Sequence, residues 1–237
     1  MRIFFSEIKD NKAYFNKQDS YHITHVLRKK INSIIKCYSV ADKISFDAKI
    51  ISLKPLVGLI DLSSIKKFND KNVDITCYLG VIKKNNFELA AEKLNEIGIK
   101  KMVPVLFERS QNNINLDFER INKICYESCK QCNRMMPIEV ESIINFAEMI
   151  KKLVEIDSVF VADIADDSIS LSSYDSLFGK KVAYIIGPEG GFTKDEIVIF
   201  KKIRNLKFLK LTDNILRSET AAIYLGSILF ERVTNEK

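Results

Sequence analysis

The chain has 237 residues, with 37 Lys or Arg against 31 Asp or Glu, a formal charge of +6 and 46% hydrophobic side chains. Such a composition can bury a core, which excludes disorder, and at about 150 residues per domain the length predicts one large domain or a medium one plus a small one. The opening Met1-Arg2-Ile3-Phe4-Phe5-Ser6-Glu7 lacks an apolar run, and the longest nearly apolar stretch, 221–230, is far short of the roughly 20 residues of a bilayer span, so a cytoplasmic chain with no secretory signal and no membrane span is expected.

Short β-branched or alternating runs at 2–5, 43–51 and 57–62, separated by polar turns, predict a small β-rich domain over 1–70. Between them Ile23, Val26, Leu27, Ile31 and Ile34 recur at near-helical spacing and predict a helix within 21–35. The stretch 63–72 is polar and aperiodic and is expected to be a linker. The second domain is expected to cover 71–237. There, strand patterns at 75–82, 101–107, 159–162, 182–186 and 207–211 alternate with helix patterns at 87–97, 118–133, 145–156, 193–203 and 218–233. That alternation predicts an α/β fold with a mostly parallel sheet covered on both faces, and a ligand site at the strands' carboxyl ends. Gly98 follows the stripe Phe87, Ala90, Ala91, Leu94 and Ile97 where a left-handed helix cap belongs, and Thr193-Lys194-Asp195-Glu196 reads as a capping box.

Three clusters could carry chemistry. Ile186-Gly187-Pro188-Glu189-Gly190-Gly191-Phe192 places a glycine turn between an apolar strand and a capped helix, where backbone can come close to a ligand. It is neither a dinucleotide fingerprint nor a phosphate loop. Leu211-Thr212-Asp213-Asn214-Ile215-Leu216-Arg217-Ser218-Glu219 again joins a strand to a helix. Glu219 has a plain explanation as an acid in a first helical turn, while Arg217 carries a fork of donors suited to phosphate or a base edge. The third cluster, Cys125-x3-Cys129-x2-Cys132, has the spacing of radical iron–sulfur enzymes, but Phe118, Ile121, Cys125, Ser128 and Cys132 follow a helical stripe, so reduced thiols on a helix are expected, in keeping with an odd total of five cysteines. His22 and His25 have no further ligands at metal spacing, and beside Tyr21, Arg28, Lys29 and Lys30 they form a basic patch. Elsewhere the positive excess is spread over lysine pairs at 66–67, 83–84, 100–101, 180–181 and 201–202, so charge alone does not establish a polyanionic partner.

Taken together these segments resemble one family, the RsmE-type RNA methyltransferases of the SPOUT superfamily, which methylate N3 of a uridine in 16S ribosomal RNA. The resemblance runs from His22-x-x-His25-Val26-Leu27-Arg28 through Glu92-Lys93-Leu94-Asn95-Glu96-Ile97-Gly98, Glu108-Arg109-Ser110 and Gln131-Cys132-Asn133-Arg134. It continues with Ile186 to Phe192, Asp195-Glu196-Ile197 and Leu216-Arg217-Ser218-Glu219-Thr220-Ala221, in the family's order.

It implies a PUA-like β domain for RNA, a C-terminal α/β domain with a trefoil knot, a homodimer, and S-adenosylmethionine as cofactor with no metal. By the same resemblance Val161, Ile186, Gly187, Pro188, Gly190, Leu211, Asn214, Ile215 and Leu216 are expected at the cofactor. His25, Arg28, Lys93, Arg109, Gln131 and Arg134 are expected at RNA of the small ribosomal subunit. Arg217 is expected to stabilise the uridine anion, with Glu189 or Glu219 as proton acceptor. Lys130 stands where the family often has an acid, and Thr212 and Asn214 replace a usual Gly and Arg. The rival readings are a ribose 2′-oxygen methyltransferase and a non-catalytic protein that binds small-subunit RNA.

Overall fold

The computed structural model describes residues 4–67, 74–111, 113–163, 169–170 and 181–235. The chain sorts into two compact units, 1–71 joined by 129–136, and 72–128 joined by 137–237. The expected single cut after residue 70 falls outside the described residues, and it did not foresee that 129–136 joins the first unit. No helix among the described residues is long and apolar enough to cross a membrane.

The first unit is a mixed sheet. Its strands are β1 (Phe4–Phe5), β2 (Glu7–Lys9), β3 (Lys12–Tyr14), β4 (Ile34–Ser39), β5 (Ile44–Leu53), β6 (Leu56–Ile60) and β7 (Lys66–Lys67). They lie in the order β1-β4-β5-β6-β3-β2, with β7 on β5, and among the described residues only β1 and β4 pair in parallel. The β2–β3 hairpin turns through Asp10 and Asn11 at φ 51° and 57°, the doubly left-handed turn that matches strand twist. Phe46, Ala48 and Ile50 alternate inward on β5 and meet Phe4, Ile23 and Ile35 in the core. Part of the expected linker, Lys66–Lys67, is therefore strand, and 68–72 lies outside the described residues.

The helix expected within 21–35 forms only as far as Val26 and not as one α-helix. Instead α1 (Lys17–Tyr21) runs into a π-helical turn, His22–Val26, which ends where the Leu27 and Lys29 amides bond the His22 and Ile23 carbonyls and Arg28 turns left-handed at φ 50°. Of the apolar stripe only Ile23 is buried, while Val26, Leu27, Ile31 and Ile34 are exposed, and β-branched Ile34-Ile35 opens a strand. The stripe's spacing was real, but it had one core contact to satisfy and not five.

A buried ion pair fastens 129–136 inside this unit. Lys130 Nζ lies 2.7 Å from Asp19 Oδ1, both side chains 4% exposed, and Asn16 Nδ2 donates to the other Asp19 oxygen at 3.1 Å. The basic residue at this position thus answers an acid 111 positions away. Removing one partner strands a desolvated charge. Asp19→Ala is expected to lower stability by about 3–5 kcal/mol, and Asp19→Leu combined with Lys130→Met to recover most of the loss, as read by urea unfolding.

The second unit is built on a parallel sheet. It contains β8 (Asp74–Gly80), α2 (Lys84–Ile97), β9 (Lys101–Leu106), α3 (Phe118–Cys132, whose last turn belongs to the first unit), β10 (Glu139–Val140), β11 (Ile144–Asn145) and α4 (Phe146–Lys152). Then follow β12 (Ser158–Ala162), β13 (Ile169–Ser170), β14 (Lys181–Ile186), α5 (Lys194–Phe200), β15 (Leu206–Lys210) and α6 (Ser218–Asn235). The strand order is β10-β9-β8-β14-β12-β15-β13, with β11 also on β9, and every pairing is parallel.

Both faces are covered, as the alternation predicts. Ile75, Cys77, Leu79, Phe160 and Tyr184 face α2 and α6, while Tyr78, Val103, Val159, Val161 and Ile185 face Met149 of α4 and Phe200 of α5. Gly98 takes φ 112° as the cap of α2. On α6, which shares that face with α2, Gly226 allows so close an approach that a Cβ there would sit 2.6 Å from Tyr184 Oη, which donates to the Ala222 carbonyl at 3.1 Å. Cys125, Cys129 and Cys132 all lie on α3, the first two buried, and burial pushes the Cys77 thiol up to about 12. One pairing is unusual: Ala162 and Ile169 both pair with Leu209, from opposite sides, so β15 lies between two strands that precede it in the chain.

Candidate functional site

At the carboxyl ends of β12, β14 and β15 the second unit opens a cleft of about 570 Å³. One wall is the turn after β14. Gly191 takes φ 68° and its amide bonds the Pro188 carbonyl at 2.9 Å. The turn lies directly on the end of β8, where a Cβ on Gly80 would be 2.5 Å from the Pro188 nitrogen and 2.9 Å from the Gly187 carbonyl carbon. Gly187 packs on the Phe192 ring, which stands edge-on to Phe107 and Phe200.

Glu196 holds this wall to a second loop. The capping box forms as the sequence predicts, with Thr193 Oγ1 accepting from the Glu196 amide and Glu196 Oε2 accepting from the Thr193 amide at 2.8 Å. The remaining oxygen, Oε1, accepts from the Glu108 amide at 3.0 Å. Arg109, next in line, donates from Nη1 to the Gly190 carbonyl at 3.0 Å, and a Cβ on Gly190 would press tightly on Arg109 Cβ at 3.0 Å. The Glu189 carboxylate accepts from the Lys83 amide at 3.4 Å, at the positive end of α2.

The other wall is the segment from β15 to α6. Thr212 Oγ1 donates to the Asn214 carbonyl at 2.8 Å and Lys210 pairs with Asp213 at 2.7 Å, so the two residues that depart from the family pattern close a compact turn. Leu216 packs into the core, Arg217 is exposed, and the Ala221 amide bonds the Arg217 carbonyl as α6 begins. Glu219 is 6% exposed, and its Oε2 is buried with no hydrogen-bond partner among the described residues. A buried carboxylate oxygen without a donor is costly to keep, and an N-terminal helical turn offsets only part of that cost.

Of the expected cofactor residues, the cleft brings together Ile186, Gly187, Pro188, Leu211, Asn214, Ile215 and Leu216, with Arg217, Glu189 and Glu219 at its edge. Two do not line it. Val161 is fully buried and faces α4 and α5, because it has the opposite strand parity to Ala162, which does line the cleft; Gly190 is turned to Arg109. Ile215 is 84% exposed, so its side chain does not enclose a purine in this conformation. Sequence reasoning missed Lys83 and Asn86 as lining residues; Gly80 was missed too, although a lone glycine ending a strand was the available signal.

The expected RNA residues divide between the units. His25, Arg28 and Gln131 are exposed and Arg134 half-buried in the first unit. In the second, Lys93 bonds Glu96 Oε1 at 2.8 Å and Glu92 Oε1 at 3.1 Å, which raises its pKa. Asn95, in the same motif, is structural: it donates to the Cys125 carbonyl and accepts from the Ile138 amide. Charge is far from evenly spread. The first unit holds 16 basic and 7 acidic residues, the second 21 and 24, so the excess belongs entirely to the small unit.

A parallel α/β unit with a glycine-bordered cleft at its strand ends is the setting of a ligand-binding enzyme domain, and residues 69–230 match the RNA methyltransferase domain family. Curated relatives include ribosomal RNA small subunit methyltransferase E of Buchnera aphidicola, 30% identical over 94% of this chain and 89% of that protein, and that of Helicobacter pylori strain J99, 32% identical over 76% of each. The chain belongs to this ribosomal RNA small subunit methyltransferase E family. Among solved structures, a probable rRNA-methyltransferase from Porphyromonas gingivalis superposes with a TM-score of 0.86 at 20% identity over the whole of both chains. The methyltransferase E of Neisseria gonorrhoeae bound to S-adenosyl methionine superposes with 0.79 at 21% identity, covering 97% of this chain and 96% of that one.

Substituting Gly80→Ala tests the contact beneath the turn. The added methyl is expected to cost about 1–3 kcal/mol and to speed amide hydrogen exchange at 187–191, while far-ultraviolet circular dichroism keeps its shape.

Proposed function

We propose that the protein transfers a methyl group from S-adenosylmethionine to N3 of one uridine in the 16S RNA of the small ribosomal subunit. The observation that supports this best is the cleft itself: a glycine turn pressed on the sheet end, facing a segment that presents Arg217 and the unpartnered Glu219 carboxylate. The cleft residues fit the cofactor. Ile186, Leu211 and Leu216 supply apolar contact for a purine, and the open backbone of 187–191 and 211–214 supplies donors and acceptors for adenine and ribose. When bound, the cofactor supplies an activated methyl that needs no metal.

The protein's own part is alignment and charge. Uridine N3 bears a hydrogen at neutral pH, so the acceptor must lose it and the resulting anion must be held. Arg217, at the cleft and exposed, is the stabilising cation in this reading. Glu219 is the proton acceptor: Glu189 already receives the Lys83 amide at the start of α2, whereas Glu219 has an oxygen in need of a donor. RNA contacts are assigned to the small unit, through His25, Arg28, Gln131 and Arg134, because the net positive charge lies there. Lys93 and Arg109 would have to exchange their partners, Glu92, Glu96 and Gly190, to join them.

The finer architecture is part of the same proposal. The small mixed sheet is a PUA-like RNA domain, an assignment supported by its charge. A trefoil knot is supported by β15 lying between β12 and β13. A homodimer is supported by the exposed apolar side chains Ile215 and Tyr224 on the second unit. A cytoplasmic place of action follows from the substrate.

The test is incubation with labelled cofactor and unmodified small subunits, followed by nucleoside mass spectrometry and reverse transcription. N3-methyluridine with a stop at one uridine is expected; label on a ribose 2′-oxygen, or cofactor binding with no transfer to any RNA, overturns the proposal. Arg217→Ala is expected to lower kcat by about 10²–10³ with cofactor Kd changed less than about twofold. For Glu219→Gln a fall of about 10²–10⁴ in kcat is expected, with an unchanged melting temperature because the amide is isosteric.

A further inference from the structure

Tyr21 and His25 lie one helical turn apart and stack, ring centroids 4.3 Å apart and planes 12° from parallel. Neither ring serves the core, since Tyr21 is 61% exposed and His25 is exposed beside it. The imidazole is nevertheless held. His25 Nδ1 lies 2.8 Å from Thr24 Oγ1 and 3.3 Å from the Tyr21 carbonyl oxygen, and the Thr24 hydroxyl spends its own hydrogen on the Ser20 carbonyl at 2.7 Å. Both neighbours of Nδ1 are acceptors, so Nδ1 carries a hydrogen and donates it, and the ring plane is set by that bond as well as by the stack.

Basic residues flank the pair along the chain. Lys17 precedes Tyr21 by one turn, and Arg28, Lys29 and Lys30 follow the π-helical turn, anchored by the Lys29 amide to the Ile23 carbonyl at 3.0 Å. Among the described residues none of these four cations makes an ion pair. Two restrained aromatic rings thus lie open to solvent, with uncommitted positive charge one turn before them and directly after the π-helical turn that carries His25.

We infer that the Tyr21–His25 stack is a platform for one unpaired base of an RNA strand whose phosphates are taken by Lys17, Arg28, Lys29 and Lys30. This deepens the proposed RNA substrate and rests on that reading. A base adds to the preformed stack as a third ring, with little further loss of side-chain freedom. Duplex RNA hides its base faces, so the platform selects a loop or a frayed end, and it tolerates any base because each has a π face.

The experiment uses the full-length protein with a short single-stranded RNA carrying 2-aminopurine, and separately with small ribosomal subunits. Wild type and Tyr21→Phe are expected to quench the probe. Tyr21→Leu is expected to weaken binding about ten-fold, to abolish quenching and to leave the salt dependence of binding unchanged, since no phosphate contact is lost. Arg28→Gly, which relieves a left-handed backbone, is expected to reduce the salt slope by about one while quenching persists. Retained quenching and affinity in Tyr21→Leu overturn the platform. Methyl transfer by the same preparations separates the two readings: normal transfer with an unaltered subunit KM in Tyr21→Leu overturns the platform alone, whereas Tyr21-dependent stacking in a protein that methylates no RNA keeps the platform and overturns the transferase assignment.

Discussion

At the end of β8 two backbones occupy space that a single methyl group would fill. Gly80 supports Gly187 and Pro188 with no side chain between them, and the cleft's wall follows from that contact. Because the turn is seated so low, Phe192 reaches back into the aromatic group of Phe107 and Phe200, and α5 can begin at Thr193 with its capping box intact. Glu196 then has an oxygen left for the Glu108 amide, and Arg109 reaches the Gly190 carbonyl. One missing side chain thus sets the position of two loops that lie far apart in the chain. Amides at both loops find partners, Glu108 and Thr193 both donating to Glu196.

The second organising fact is a separation of charge. A mild excess over the whole chain conceals a strongly basic small unit and a slightly acidic large one. Under the proposed function such a division directs long-range attraction for a polyanion to the small unit and not to the cleft. The buried Lys130–Asp19 pair belongs to the same economy: it places 129–136, with Gln131 and Arg134, inside the basic unit while consuming only one of that unit's cations.

Motif resemblance and local geometry assign different weights to the same residues. Glu92, Asn95 and Glu196 all fall in family segments, yet each has a structural duty here, in an ion pair, a bridge between α3 and the segment before β10, and a shared cap. Glu219 is the exception, a buried acid that the fold leaves with an unsatisfied oxygen in the cleft. Thr212 and Asn214 close their own loop by a hydroxyl-to-carbonyl bond.

Periodicity gave the five longer strands of the parallel α/β unit and the helices between them, because those strands are short apolar runs, and Gly98, Thr193 and Glu196 act at short range and were readable as caps; the two-residue strands β10, β11 and β13 carried no such signal. The glycine turn and the Arg217–Glu219 segment were legible for the same reason, lying within a few residues of a strand end. What the tertiary structure decided depended on distant partners. Ile31 and Ile34 had helical spacing but no core to face. Val161 and Ala162 differ in role only because neighbouring strands fix which side of the sheet each residue faces. Lys130 has meaning only beside Asp19, Gly80 only beneath Pro188, and β15 took its place between β12 and β13 through pairing that no local pattern encodes. Local sequence sets which element forms; burial and pairing across the chain set which of its residues meet.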